Sequence, residues 1–129
     1  MFGKLDNVQI EKVLSDNFIG RIGCHANNKT YIVPVSYVYD SACIYAHAYE
    51  GLKISMMRQN PDVCFEVDVM ENMANWQSVI AWGTFMELTD VRERNAGLQK
   101  LTDRTFHFHL FLFILVMIKI ILSTVICHF

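Results

Sequence analysis

Between residues 31 and 68 the chain reads YIVPVSYVYDSACIYAHAYEGLKISMMRQNPDVCFEVD, and this order of elements narrows the fold more than any other segment. Two β-patterned runs rich in Tyr, Val and Ile come first. A Gly then opens a short helical stretch carrying Lys53, and an Asn-Pro pair stops it before another strand. The first backbone N–H groups of a helix have no partner within it and carry partial positive charge. A lysine in that first turn opposes the dipole unless an anion sits there, so the arrangement suggests a phosphate site. Lys53 taken alone reads more readily as an ordinary solvated lysine, and only its context favours the phosphate site.

The flanking segments extend the pattern. Asp6 has the chemistry of an N-cap, and Ile10, Val13 and Leu14 keep helical spacing up to Asn17. Residues 18–25 and 30–39 are strand candidates joined by Ala26-Asn27-Asn28-Lys29, where Asn tolerates the left-handed backbone of a tight hairpin. Asp40-Ser41 turns the chain into a third strand at 43–47. Val63, Phe65, Val67 and Val69 then alternate with Cys64, Glu66 and Asp68, the period of a strand with one buried face. Residues 76–88 supply a further long strand, with Gly83 at a bend or bulge, and a helix comes after it. Five strands with short hairpin links predict a mainly β fold with flanking helices, a small antiparallel barrel.

Composition removes several function classes. A chain of 129 residues, 53% apolar and 19% charged, builds one core. Its net charge of −2, with both signs interspersed, offers no basic stripe to a nucleic-acid backbone. Cys24, Cys43, Cys64 and Cys127 form no C-x-x-C pair, and the first three sit in apolar strand-like runs, so no disulfide framework is expected. Cys24-His25, Cys127-His128 and the pair His107 and His109 lack the spacing that closes a tetrahedral metal site. No nucleophile elbow or Walker-type loop occurs, and Gly20-Arg21-Ile22-Gly23 lacks the rest of a dinucleotide fingerprint. The N-terminus moves straight into a helix-like segment rather than a leader, which predicts a cytoplasmic body.

As a whole the segment resembles the flavin-binding core of the FMN-binding split-barrel family, the pyridoxamine 5'-phosphate oxidase-like proteins, and most closely its nitroimidazole-resistance-type branch. The resemblance spans residues 5–104 and implies FMN as cofactor. It places Val33, Pro34, Val35 and Ser36 beside the flavin ring; Pro34 has no N–H, so a donor must come from a neighbour. Ala46, His47 and Ala48 match the strand end that reaches the phosphate and ribityl chain, and Leu52-Lys53 matches the turn that grips the phosphate. His47 is either a polar residue at a sheet border or a group that contacts phosphate or ring. Ser78 and Trp82 fall where relatives bring a side chain toward the flavin, from the barrel wall or from a partner subunit. Trp76 reads as packing, and Arg58 and Gln59 read as a solvated helix face.

The resemblance further implies an oxidoreductase that passes electrons from NADH or NADPH to a small acceptor such as a nitro-aromatic, with no side chain acting as nucleophile. It also implies a homodimer with flavin at the subunit interface. The alternative is a non-catalytic module of the same fold that holds flavin or haem.

Residues 105–129, TFHFHLFLFILVMIKIILSTVICHF, depart from this pattern, with Lys119 their one formally charged side chain. Three readings compete: a membrane anchor, since the apolar run is long enough to span; a buried strand or helix that closes the barrel; or a non-native continuation from a shifted reading frame in AT-rich DNA. The abrupt Phe, Ile and Leu bias ranks the third first. The division expected is a domain at 1–104 and an atypical tail at 105–129.

Overall fold

The computed structural model describes residues 4–104 and 116–128. Helix α1 (Asn7–Asp16) begins at a reciprocal cap: Asp6 accepts from the Gln9 N–H at 2.8 Å, and the Gln9 side chain accepts from the Asp6 N–H at 2.9 Å. Its buried residues, Val13 and Leu14, face the barrel, where the Tyr37 hydroxyl donates to the Leu14 carbonyl at 2.7 Å.

Strands β1 (Ile19–Ala26) and β2 (Lys29–Asp40) are joined by Asn27 and Asn28 at φ of 53° and 61°, the left-handed pair that matches the twist of a hairpin. The turn from β2 into β3 (Cys43–Ala48) uses the same geometry at Ser41 and Ala42, with φ of 51° and 62°. Next come α2 (Leu52–Gln59), β4 (Asp62–Met70), β5 (Trp76–Glu87), α3 (Val91–Arg104) and β6 (Val116–His128).

The strands close an antiparallel barrel in the order β1-β2-β3-β6-β5-β4. It has six strands where the sequence pattern indicated five, and the sixth comes from the tail. β6 pairs with β3 from Ala48 opposite Val116 to Cys43 opposite Ile121, and with β5 from Glu87 opposite Ile118 to Ser78 opposite His128. The apolar composition of its first half has a tertiary cause: Ile118 and Ile120 point into the barrel, while Met117 lies on the outer face under α3 with Val38, Leu88 and Leu101. Covered on both faces over residues 116–120, the strand reads there as a near-continuous hydrophobic run, whereas Ile121 and Val125 farther along are exposed. Among the described residues no helix is long and apolar enough to cross a membrane.

Gly83 is the bulge anticipated from the sequence. The β5–β6 register shifts between Trp82 and Gly83, and a Cβ at Gly83 would lie 2.5 Å from the Ile121 carbonyl oxygen. Inside the barrel the Tyr37 and Phe65 rings meet edge to face, 4.9 Å apart at their centroids. Ile54, Met56 and Met57 of α2 are buried in the same core. α3 is fixed at the other side by Lys100, whose Nζ lies 2.6 Å from Asp40 and holds that carboxyl below its usual range.

Candidate functional site

The barrel is incomplete along one line. β2 pairs with β1 from Lys29 opposite Ala26 to Ser36 opposite Ile19, but with β3 only from Tyr37 opposite Ala46 to Asp40 opposite Cys43. Along residues 30–36 the far edge of β2 has no strand partner among the described residues. The Tyr37 N–H donates to the Phe18 carbonyl at 2.9 Å, and backbone groups switch sides at every residue. Val35 and Val33 therefore also turn their backbone toward β1, and Ile32, Pro34 and Ser36 turn theirs to the open edge. Pro34 stands where a missing N–H costs no ladder bond.

Side chains obey the pleat. Pro34 and Ser36 are exposed on the outer face, whereas Val35 is buried in the barrel and Val33 points the same way. Ala46, Ala48 and Val35 are core residues, so they present only backbone to anything outside, while Val33 is partly buried. His47 lies between the two alanines on the outer face, half-buried, and burial holds its imidazole below the ordinary value of 6.5. Burial thus favours its neutral form, a hydrogen-bonding group rather than a cation.

Beyond Ala48 the chain reaches α2 after three residues, of which Gly51 is the N-cap. No side chain caps this helix, and no acidic residue occupies its first turn. Leu52 is exposed, while Lys53 is partly buried and makes no ion pair among the described residues. Lys53 lies close enough to β1 for its charge to act on the Cys24 thiol, which burial nonetheless pushes up. Cys24 is opposite Tyr31 on β2.

Arg58 and Gln59 are exposed, as the sequence indicated, but both are engaged. Arg58 holds the Glu50 carboxylate with two contacts of 2.5 and 3.0 Å and also pairs with Glu87 of β5. Gln59 accepts from Asn27 at 3.0 Å and thereby ties the end of α2 to the first hairpin.

Ser78 is elsewhere. It bonds to Glu66 at 3.3 Å on the outer face of β4 and β5, beside a groove of about 520 Å³ lined by Arg21, Cys64, Glu66, Trp82, Thr84 and Ser123. Register makes the floor of this groove a straight row across four strands: Ile32, Gly23, Cys64 and Trp82. Arg21 is 3.4 Å from Glu66 and 3.6 Å from Asp68. Glu66 is pushed up to about 7 by burial and by the neighbouring Asp68, against the opposing pull of Arg21 and Ser78. The predicted positions thus fall into two groups, one around β2, β3 and α2 and one at Ser78. The acidic cluster was missed, although Glu66 and Asp68 share the polar phase of β4. Among the described residues no group of three or more His, Cys, Asp or Glu is placed to hold a metal.

A closed six-stranded barrel with one open strand edge beside a basic helix start is a split-barrel architecture. The family profile described as pyridoxamine 5'-phosphate oxidase matches residues 6–109, and the chain belongs to that family. A FAD-binding protein of Mesorhizobium loti superposes with a TM-score of 0.82 at 30% identity, over 99% of this chain and 97% of that one. A candidate 5-nitroimidazole antibiotic resistance protein of Bacteroides thetaiotaomicron superposes with a TM-score of 0.83 at 17% identity, over 99% and 87%. An uncharacterised protein of Rhizobium meliloti is 29% identical over 62% of this chain, which spans about half (53%) of that relative's length.

Proposed function

We propose that this protein binds FMN and works as an oxidoreductase that passes electrons from NADH or NADPH to a small acceptor such as a nitro-aromatic. The observation that carries the reading is the open β2 edge leading to the uncapped, Lys53-bearing start of α2. A flavin mononucleotide needs a flat slot with backbone donors and acceptors at one end and a cation with helix amides at the other. Ile32, Pro34 and Ser36 supply the first; the first-turn amides of α2 and Lys53 supply the second. When bound, the flavin contributes the electron-transfer chemistry itself. His47, held neutral, donates or accepts a hydrogen bond on the outer face, and no side chain is required as nucleophile. Membership of the family and the FAD-binding relative support a flavin ligand.

A homodimer belongs to the same reading. Ile32, Trp82 and Ile121 are 70%, 42% and 42% exposed on the outer barrel face, a placement suited to cover by a second copy. Such cover would bring Ser78 and Trp82 of one copy toward the flavin of the other.

The test is the absorption spectrum of freshly purified protein. A flavin spectrum bleached by NADH or NADPH without oxygen and restored by a nitro-aromatic is the expected result. A flavin spectrum inert to both nicotinamides would leave a storage module, and a Soret band would replace flavin by haem. Size-exclusion chromatography with light scattering reports the dimer; a monomer at all concentrations sinks it.

A further inference from the structure

Glu50 immediately precedes Gly51, the N-cap of α2. A carboxylate at that position is the natural internal ligand for the helix amides and for Lys53, and it would compete there with any phosphate. It is not used so: α2 has no side-chain cap, and both Glu50 oxygens are taken by Arg58 from the last turn of the same helix. Helical side chains lean toward the N-terminus, which lets Arg58 reach back while drawing the carboxylate along the helix and away from its first amides. Glu87 of β5 engages the same guanidinium and anchors it to the barrel.

We propose that Arg58 is a positioning residue that sequesters Glu50 and so keeps the start of α2 and Lys53 available to a phosphate. The proposal rests on the FMN reading above. Its mechanism is removal of a competitor rather than contact with the ligand, which sets it apart from the part given to Lys53. Two consequences are specific. Loss of Arg58 weakens ligands that carry a phosphate and spares those that lack one. That loss also depends on Glu50 being an acid.

The experiment titrates the full chain with FMN and with riboflavin, monitoring quenching of flavin fluorescence, in the wild type and in Arg58→Met, Arg58→Lys, Glu50→Gln and the Arg58→Met/Glu50→Gln double variant. Arg58→Met is expected to lower FMN affinity about fivefold and riboflavin affinity by less than about twofold. Glu50→Gln binds FMN at least as tightly as the wild type, and the double variant recovers most of the loss. Arg58→Lys, which keeps the charge without the two-pronged contact, falls between and serves if the Met variant does not fold. Equal loss for both flavins, no loss, or no recovery in the double variant overturns the proposal. A wild type that binds no FMN sinks the FMN reading first and this one with it, whereas FMN binding that depends on Lys53 and ignores Arg58 sinks this one alone.

Discussion

Arg21 and Glu66 face each other across β1 and β4 with Nη1 and Oε1 3.4 Å apart, yet the carboxyl is pushed up to about 7 instead of being held low by the cation. Burial and the nearby Asp68 outweigh the pair. A carboxyl raised from 4.5 to about 7 by folding is more easily protonated in the native state, so its favourable contribution is whole at low pH. It shrinks as pH climbs from 4.5 and is gone above about 7. Glu66→Gln removes this slope. Melting temperatures measured from about pH 5 to about pH 8 should show the variant gaining on the wild type as pH rises; a constant difference would contradict the assignment.

Tyr37 is buried with its hydroxyl 2.7 Å from the Leu14 carbonyl, and this bond joins α1 to the barrel. Tyr37→Phe keeps the ring against Phe65 but leaves a buried carbonyl without its donor, at a cost of about 1–2 kcal/mol. Urea unfolding checks the figure, and an unchanged midpoint would mean that the carbonyl finds another partner.

The β2–β3 turn places Ala42 at φ 62°, where a Cβ is strained and Gly is not. Ala42→Gly should stabilise the protein by about 0.5–1 kcal/mol, the relief of strain exceeding the added freedom of the unfolded chain. Thermal unfolding reads the sign directly, and a lowered midpoint counts against a strained turn.

Lys53→Ala should weaken FMN by roughly tenfold while riboflavin binding holds, the signature of a lost cation at a phosphate. Lys53→Arg should keep most of the affinity. Equal affinity of wild type and Lys53→Ala for FMN in a fluorescence titration would refute the phosphate assignment.

Much of this architecture was legible in the residues. Asp6 announced the start of the first helix, Asn27-Asn28 the first hairpin, Asn60-Pro61 the end of α2, and Gly83 a bend or bulge, because each depends on local backbone chemistry alone. The closing strand was harder to read. Its apolar run reflects contacts with α3 on one face and the core on the other, and neither is visible in a local window. Around the candidate site the positions were legible but not their directions. Pleating sends Val33, Val35, Ala46 and Ala48 inward and leaves Pro34, Ser36 and His47 outside, a division the family resemblance did not supply. The partnership of Arg58 with Glu50 spans a whole helix and depends on how two long side chains lean, so the sequence showed only a charged surface.

Pro34 has a consequence for the chain before any ligand arrives. A bare strand edge invites a strand from another molecule to dock and propagate into aggregates. The pyrrolidine ring interrupts the donor series at the middle of that edge, so a foreign backbone cannot zip along it. One residue thus leaves a stretch of strand edge unpaired while blunting its capacity to template another strand.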